Sequence, residues 1–417
     1  MTAKNQRPAI SDVYELSPMQ EAMLFHDAYT PGSMAYFEQF SYLIRGELQP
    51  EFFSQAWQIV ANRHAVFRTS FHWQDLPKPV QVVQEMVSVP WFFADWRGLA
   101  PGLQTQKWQQ HLEEDRKRPF RLDRAPLLRC HLAQLSDRQY FFAWSHHHII
   151  LDGWCLSIIV GELLEIYRAL RGGHRPGLRP ARPYRDYIVW MQQQDQDKAR
   201  DFWKAELKGF TAPTELPMIA ANHTERSVLT DCHQRQSLSS DLSQKLRLLA
   251  AQHQITANTL TQAAWSILLS RYSGQSDVLF GFTVSDRPSE IRGVEEIVGL
   301  FINTLPVRVE VAPEMQLPAW LKRIQAQQAS RLQYAFASMV DIQQWSEVPR
   351  GVHLFDSNIL FLNYPLSQDV VRGPGEFEIS DPQMFSQTDM PLTLQVTPGE
   401  QWSVEIIYDS NCFEADV

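Results

Sequence analysis

Cysteine is scarce in this sequence, and the four that occur stand far apart, at Cys130, Cys155, Cys232 and Cys412. No two of them form a CxxC pair, and none has the spacing of a zinc finger. These absences argue against a disulfide framework and against a cysteine-based metal site. The pattern predicts reduced, mostly buried thiols in a cytoplasmic protein.

Long apolar runs and an excess of positive charge are also missing. The N-terminal segment holds no apolar stretch suited to a signal peptide, and no segment reaches the ~20 uninterrupted apolar residues of a membrane helix. The 38 basic and 47 acidic residues give a formal net charge of −9. Because broad nucleic-acid binding needs a basic surface, this balance argues against it. We expect a soluble, cytoplasmic protein that binds neither a membrane nor nucleic acid.

The length and composition predict more than one packed core. The chain has 417 residues, of which 44% are hydrophobic and 20% charged, and single cores stop growing at roughly 250–300 residues. The stretch RGGHRPGLRPARP at 171–183 is rich in Gly, Pro and Arg and is the best linker candidate. We therefore predict an N-terminal lobe over residues 1–175 and a C-terminal lobe over residues 176–417.

Hydrophobic periodicity alternates between helix and strand along both halves, which favours the α/β class. Helical spacing covers residues 51–63 and 153–170, and two more helices are predicted within 240–272. Aromatic or apolar strand signals cover residues 139–145, 277–284 and 354–364.

The most informative run is HHHIILDGW at 146–154, where the aromatic strand stops and an amphipathic helix begins. Side chains alternate faces along an extended chain, so His147 and His148 cannot both point into the same cavity. Asp152 and Gly153 are predicted to form a turn, with Asp152 folding back to brace the imidazole and Gly153 adopting a backbone geometry that other residues resist. Trp154, directly after the turn, fits either packing or substrate contact.

A fixed histidine suits acyl transfer, because its ordinary pKa lies near working pH and it can take a proton from an attacking amine or hydroxyl. The sequence has neither GxSxG nor a cysteine-centred elbow. Two other interpretations compete: a hydrogen-bonded structural histidine, and a metal site. Metal is disfavoured because consecutive strand residues rarely ligate one ion and no HExxH helix is present.

At this point His147–Gly153 resembles the HHxxxDG signature of nonribosomal peptide synthetase condensation domains. The shorter HxxxDG part is shared with chloramphenicol acetyltransferase. Four further stretches resemble motifs of the same family in the same order: LSPMQEAMLFH at 16–26, RHAVFRT at 63–69, YRDYIVW at 184–190 and VGLFINTLPVR at 298–308. Together they span nearly the whole chain.

The resemblance implies two chloramphenicol-acetyltransferase-like lobes in a V-shaped pseudo-dimer with a tunnel between them. It implies that His148 deprotonates or orients the acceptor amine, and that His147 and Asp152 are architectural. Asp152 is expected to pair with an arginine, such as Arg308 or Arg68. Asn303 is expected to line the tunnel from the second lobe.

The implied reaction joins a carrier-bound donor acyl or peptidyl thioester to the amine of a carrier-bound aminoacyl thioester. The phosphopantetheine arms of donor and acceptor peptidyl carrier proteins would deliver both substrates, and no cofactor is covalently bound to this chain. An adjacent adenylation domain and an upstream epimerisation domain are the further partners expected. The stretches at 16–26 and 147–160 resemble the subtype that joins a D-configured donor to an L-acceptor.

Two alternatives remain open: an epimerisation domain of the same superfamily, and a non-catalytic docking module.

The sequence departs from the family pattern at two positions. They are Ala22, where Gly is frequent, and Asp286, within a common Ser-Gly-Arg-Pro stretch. The sequence also stops before the closing helix that the family implies, as expected of a segment excised from a longer chain.

Overall fold

Strands and helices alternate along the chain, so the predicted α/β class is confirmed. The computed structural model describes residues 9–30, 32–216, 231–363, 377–387 and 390–414. The chain divides into two compact units. The first unit comprises Met1–Gln193, Arg287–Phe301 and Tyr364–Gln387; the second comprises Gln194–Asp286, Ile302–Asn363 and Thr388–Val417.

These units differ from the predicted division at residue 175. Residues 176–193 continue the first unit, and two later segments return to it. The predicted linker at 171–183 is irregular after Arg171, as expected, but it lies inside the first unit. The physical reason is that a strand from late in the chain completes a sheet formed early, and local composition carries no signal for such pairing.

The described residues of the first unit form two sheets. Strand order is β1-β4-β3 in the smaller and β12-β2-β7-β6-β5 in the larger. Its strands are β1 (Ile10–Glu15), β2 (Phe37–Gly46), β3 (Thr69–His72), β4 (Val80–Gln84), β5 (Trp91–Asp95), β6 (Leu128–Ser136), β7 (Gln139–His147) and β12 (Phe377–Ser386). Its helices are α1 (Pro18–Tyr29), α2 (Pro50–Arg63), α3 (Pro101–Arg116), α4 (Cys155–Arg171) and α5 (Arg185–Gln192), with 3-10 turns at Ala65–Arg68, His148–Ile150 and Val294–Glu296.

The strands described in the second unit form a sheet with the order β10-β9-β11-β13-β14-β8. Its strands are β8 (Asp231–Ser237), β9 (Asp277–Ser285), β10 (Ile302–Glu310), β11 (Ser357–Phe361), β13 (Leu392–Thr397) and β14 (Ser403–Asp409). Its helices are α6 (Gln196–Glu206), α7 (Ser240–His253), α8 (Ala257–Ser273), α9 (Leu317–Leu332) and α10 (Met339–Trp345). The strand predicted over 354–364 is shorter than expected.

Strand β7 and helix α4, which flank the histidine run, form as the periodicity predicts. In β7, Tyr140, Phe142 and Trp144 are buried, and the strand lies between β2 and β6. Helix α4 buries its apolar stripe and packs against α2. The histidines are thereby placed at the exit of an interior strand, on a rigid support.

Helix α1 begins with a capping box that the sequence LSPMQ encodes. The Ser17 hydroxyl accepts a hydrogen bond from the Gln20 backbone N–H, and the Gln20 side chain accepts one from the Ser17 N–H. These reciprocal bonds satisfy two otherwise unpaired donors and fix the Gln20 side chain. Its amide nitrogen donates to the Ile149 carbonyl at 3.1 Å, which ties α1 to the turn after β7.

The described residues include all four cysteines of the chain. All four cysteines are free; Cys130 and Cys155 are buried, whereas Cys232 and Cys412 are partly exposed. No helix in the described ranges is both long and apolar enough to cross a membrane.

Two glycines in the first unit differ sharply in the space around them. A Cβ on Gly299 would overlap the ring of Tyr184, which is buried and donates its hydroxyl to the Leu300 carbonyl. A Cβ on Gly161, in α4, would meet no atom of the described residues within 4 Å. Gly299 therefore permits the YRDY and VGLF motifs to pack together.

We predict that Gly299→Ala lowers the free energy of unfolding by about 1–3 kcal/mol, because the added methyl overpacks the site. Gly161→Ala is the matched control and should raise stability by about 0.5–1 kcal/mol, as expected for an exposed helix position. Urea denaturation monitored by circular dichroism measures both. Equal effects of the two substitutions would contradict the packing argument.

Candidate active site

The three consecutive histidines lie where β7 leaves the sheet. The backbone N–H of His147 donates to the Leu127 carbonyl at 3.2 Å, and that of His148 donates to the Tyr36 carbonyl at 2.8 Å. The chain then turns through His148–Ile150 into α4. Backbone hydrogen bonds therefore hold the chain up to the residue that bears the candidate imidazole.

The His148 ring has one nitrogen engaged and one available. Its Nδ1 lies 2.8 Å from the Leu151 carbonyl oxygen. Because a carbonyl only accepts, Nδ1 carries the proton in this contact, and Nε2 of the neutral ring keeps its lone pair. The His148 side chain is 21% exposed. The arrangement can accept a proton at a defined atom.

His147 differs from His148 in the role of its Nδ1 atom. Its Nδ1 accepts a hydrogen bond from the Ile149 backbone N–H at 3.1 Å, so a proton on the neutral ring resides on Nε2. Burial, with smaller contributions from His148 and His26, lowers the pKa of His147 to about 3. His147 is therefore neutral at physiological pH and braces the turn.

His146 is fully buried and stacks against Phe40 and Trp144. Burial is the main cause that holds its pKa well below the usual range, with smaller contributions from His148 and His147. Neither of its ring nitrogens has a hydrogen-bond partner among the described residues. It is an uncharged ring within the core of the sheet.

The Asp152 carboxylate is buried and braces the turn. One oxygen accepts the Phe301 backbone N–H at 2.9 Å, and the other lies 3.5 Å from the Arg287 guanidinium. The Cys155 thiol donates to Asp152 at 3.4 Å, and its pKa is raised to about 12 by burial, with the Asp152 charge second. These contacts fix the turn to the returning segment 287–301.

The prediction that Asp152 pairs with Arg68 or Arg308 was wrong. Arg68 directs its guanidinium to the backbone carbonyls of Gln84 and Glu85. Arg308, in the second unit, forms an ion pair with Asp277 at 2.7 Å. The actual partner is Arg287, from the Ser-Asp-Arg-Pro stretch in which Asp286 departs from the family pattern. Local sequence cannot rank three arginines whose neighbours depend on tertiary packing.

Gly153 and Trp154 directly follow Asp152 in the chain. Gly153 lies in a turn that leads into α4, and it is not among the described glycines with positive φ. Trp154 donates its indole N–H to the Glu295 carbonyl at 3.1 Å, and the Arg287 guanidinium lies 5.3 Å from the Trp154 ring centroid. Trp154 thus packs beside Arg287, the ion-pair partner of Asp152.

Asn303, in the second unit, uses its side-chain amide to hold backbone. Its nitrogen donates to the Ala335 and Ala337 carbonyls at 2.7 and 2.8 Å, and its oxygen accepts the Thr304 N–H. The residue is 5% exposed. Its amide orders the segment after α9.

Three residues that the sequence did not single out surround the turn: Gln20, Arg287 and Glu38. Gln20 and Arg287 lie inside motif stretches, so the motifs themselves were the available signal. Glu38, on β2, has a carboxylate oxygen 3.7 Å from Nε2 of His148, and nothing in its local sequence indicates this position. Within the described ranges no group of three or more His, Cys, Asp or Glu side chains could hold a metal ion.

Nearly the whole chain matches one known family. The model of the family described as "Condensation domain" matches residues 10–417. The chain belongs to the condensation-domain family. Condensation domains of nonribosomal peptide synthetases are acyltransferases that form amide bonds, and the resemblance carried by the HHxxxDG stretch is confirmed.

Similar curated proteins are multidomain synthetases. The condensation domain is 42% identical to a subunit of linear gramicidin synthase from Brevibacillus parabrevis, over 97% of this chain and 8% of that protein. It is 34% identical to surfactin synthase subunit 3 of Bacillus subtilis (strain 168), over 97% of this chain and 32% of that protein. The chain thus spans less than a third of the length of either relative.

Solved structures share the fold. The X-domain from teicoplanin biosynthesis has a TM-score of 0.82 at 20% identity, covering 100% of this chain and 92% of that one. The starter condensation domain of rhizomide synthetase RzmA has a TM-score of 0.78 at 20% identity, covering 97% and 92%. The likeness to these structures confirms the predicted chloramphenicol-acetyltransferase-like α/β fold class.

We predict that Asp152→Ala lowers the free energy of unfolding of the condensation domain by about 3–5 kcal/mol. The substitution leaves the Arg287 guanidinium, 8% exposed, without its carboxylate and the Phe301 N–H without an acceptor. Chemical denaturation measures the loss. The control is Glu310→Ala, at a pair with Arg323 in which the side chains are 55% and 40% exposed; it should cost no more than about 1 kcal/mol. A similar small cost at both sites would contradict a bracing role for Asp152.

Proposed function

We propose that this condensation domain joins a donor acyl or peptidyl thioester to the amine of an acceptor aminoacyl thioester, with His148 as the proton acceptor. The observation that carries the proposal is the contrast among the three histidines. His146 and His147 are 0% and 4% exposed, whereas His148 is 21% exposed and keeps a free Nε2 lone pair.

The proposed step is balanced around one proton. The acceptor amine attacks the thioester carbonyl carbon, a C–N bond forms, and a tetrahedral intermediate carries the negative oxygen. The amine proton passes to Nε2 of His148, the C–S bond breaks, and the thiolate leaves. His148 then returns the proton to the thiolate, so that amide and free thiol are the products. Because a thioester is already activated, no nucleophilic serine or cysteine is needed.

The substrates in this proposal arrive attached to partners. Phosphopantetheine arms of donor and acceptor carrier proteins hold the two thioesters, so the arm is part of the substrate and is not resident in this chain. An adjacent adenylation domain would load the acceptor carrier. The likeness to gramicidin and surfactin synthase subunits supports this setting, and a cytoplasmic location goes with it.

We further propose that the donor is D-configured and the acceptor L-configured, with an epimerisation domain upstream. The support is the sequence itself: LSPMQEAMLFH at 16–26 and HHIILDGWCLSIIV at 147–160 resemble that subtype.

We predict that His148→Ala lowers the single-turnover rate of amide formation by about 10²–10⁴, because positioned proton transfer contributes that much. Product is measured by mass spectrometry with purified, loaded donor and acceptor carriers. Circular dichroism and carrier binding should match the parent. A rate within about tenfold of the parent would refute the role of His148.

His147→Ala serves as the companion variant. It leaves the buried Ile149 N–H without an acceptor, at a cost of about 1–3 kcal/mol, so it should reduce stability while the folded fraction retains most of its rate. If His147→Ala and His148→Ala are both fully folded and lose the same amount of rate, the proposal that only His148 accepts the proton is refuted.

We predict faster amide formation from a D-aminoacyl donor than from its L-enantiomer, with the L-acceptor held constant. Chiral chromatography of the released dipeptide measures the preference. A preference for the L-donor would refute the subtype.

The same assay also tests the two alternative functions. An L-aminoacyl carrier without an acceptor should keep its configuration. Loss of configuration would indicate epimerisation, and carrier binding without product would indicate a docking module.

A further inference from the structure

Glu38 is a buried carboxylate with an unusual set of neighbours. The residue is 6% exposed, and one oxygen accepts a hydrogen bond from the Ser386 hydroxyl at 2.8 Å. The cationic or potentially cationic groups that the described residues bring within 4.0 Å of it are two histidine rings, His146 and His148. Since a buried carboxylate is costly without compensation, this placement calls for an explanation beyond packing.

Strand register brings these side chains to one face of the sheet. Glu38 on β2 is directly opposite His146 on β7 and opposite Ser386 on β12. His148 follows His146 by two residues, and both rings lie within 4.0 Å of the Glu38 carboxylate. The pairing of β2 with β7 and β12 thus places the Glu38 carboxylate beside Nε2 of His148.

The carboxylate faces the nitrogen that would receive the proton. Nδ1 of His148 is occupied by the Leu151 carbonyl, and Nε2 lies 3.7 Å from Oε1 of Glu38. That distance is too long for a hydrogen bond, so the neutral ring gains little from the carboxylate. Once the ring is protonated, two opposite charges face each other in a largely buried environment, where attraction is stronger than in water. Such an interaction favours the transition state over the ground state.

We propose that Glu38 is a positioning residue that stabilises the protonated His148 ring during proton transfer from the acceptor amine. This inference rests on the proposed role of His148 and adds a second residue to it. Glu38 acts through the ring and not on the substrate. Ser386 fixes the carboxylate by its hydrogen bond.

None of the other ionisable groups around the turn is available to stabilise a protonated His148 ring. They are His146 and His147 on β7, Asp152 after the turn, and His26 on α1, whose charge acts on His147. Burial holds the pKa of His146 and of His147 below the usual range, so both rings stay neutral. Asp152 is engaged by Arg287 and by the Phe301 N–H. His26 is the remaining group, and a cation there would oppose protonation of its neighbours.

The test is Glu38→Gln, which removes the charge but keeps the shape and an oxygen that can accept from Ser386. Without the carboxylate the His148 ring holds a proton less tightly. The acid limb of the single-turnover pH profile should therefore move to lower pH, and the plateau rate should fall about tenfold or more. KM for the acceptor carrier should not change. Glu38→Asp retains the charge and should keep the acid limb near that of the parent.

The matched control is Glu162→Gln. Glu162 is another partly buried carboxylate of the first unit, and it contacts the His64 ring at 2.7 Å. The same chemical change at Glu162 should lower the melting temperature without moving the pH profile. A rate loss in Glu38→Gln that comes only with a lower melting temperature, and with no movement of the acid limb, would assign Glu38 a structural role and overturn the inference.

A second readout needs no substrate. NMR of the histidine rings follows the pH at which the His148 ring loses its proton, with the signal assigned by its disappearance in His148→Gln. That midpoint should move to lower pH in Glu38→Gln and stay in place in Glu162→Gln. An unchanged midpoint overturns the inference while leaving amide formation by the parent untouched. A parent that forms no amide, but whose midpoint responds to Glu38→Gln, would instead refute the proposed function and retain the coupling.

Discussion

The hydrogen bond from Nδ1 of His148 to the Leu151 carbonyl is the interaction on which the rest of the site depends. It fixes both the orientation of the ring and the identity of the nitrogen that bears a lone pair. A free histidine interconverts between two neutral tautomers, and only one of them suits a given proton transfer. Because the acceptor is a backbone carbonyl just before α4 begins, the state of the ring is determined by the shape of the turn.

The turn in its own right is held from several directions. Gln20 donates to the Ile149 carbonyl from the capped start of α1. Asp152 accepts the Phe301 N–H and faces Arg287. Tyr184 packs over Gly299 in the same segment. The sequence motifs of the first unit therefore contribute mostly structure: they are distant along the chain and converge on one short stretch of backbone.

Prediction from sequence succeeded where the signal is local. The periodicity of α2, β7 and α4 follows from which side chains each element buries. Prediction failed where a contact depends on packing between distant segments. The partner of Asp152 was sought at Arg68 or Arg308, and the division at residue 175 ignored the returning segments. Glu38 had no local signal, because its proximity to His148 arises from the register between β2 and β7.

The return of β12 to the first sheet has a consequence for how the protein is made. Strand β12, Phe377–Ser386, pairs with β2 along its length apart from one irregularity, so without it β2 would be the edge of the sheet. During synthesis the first half of the chain emerges with that edge unpaired, and exposed edges invite pairing with other chains. The sheet is completed only after residue 386 has left the ribosome, so the surroundings of the histidines mature after β2 and β7 have both been synthesised.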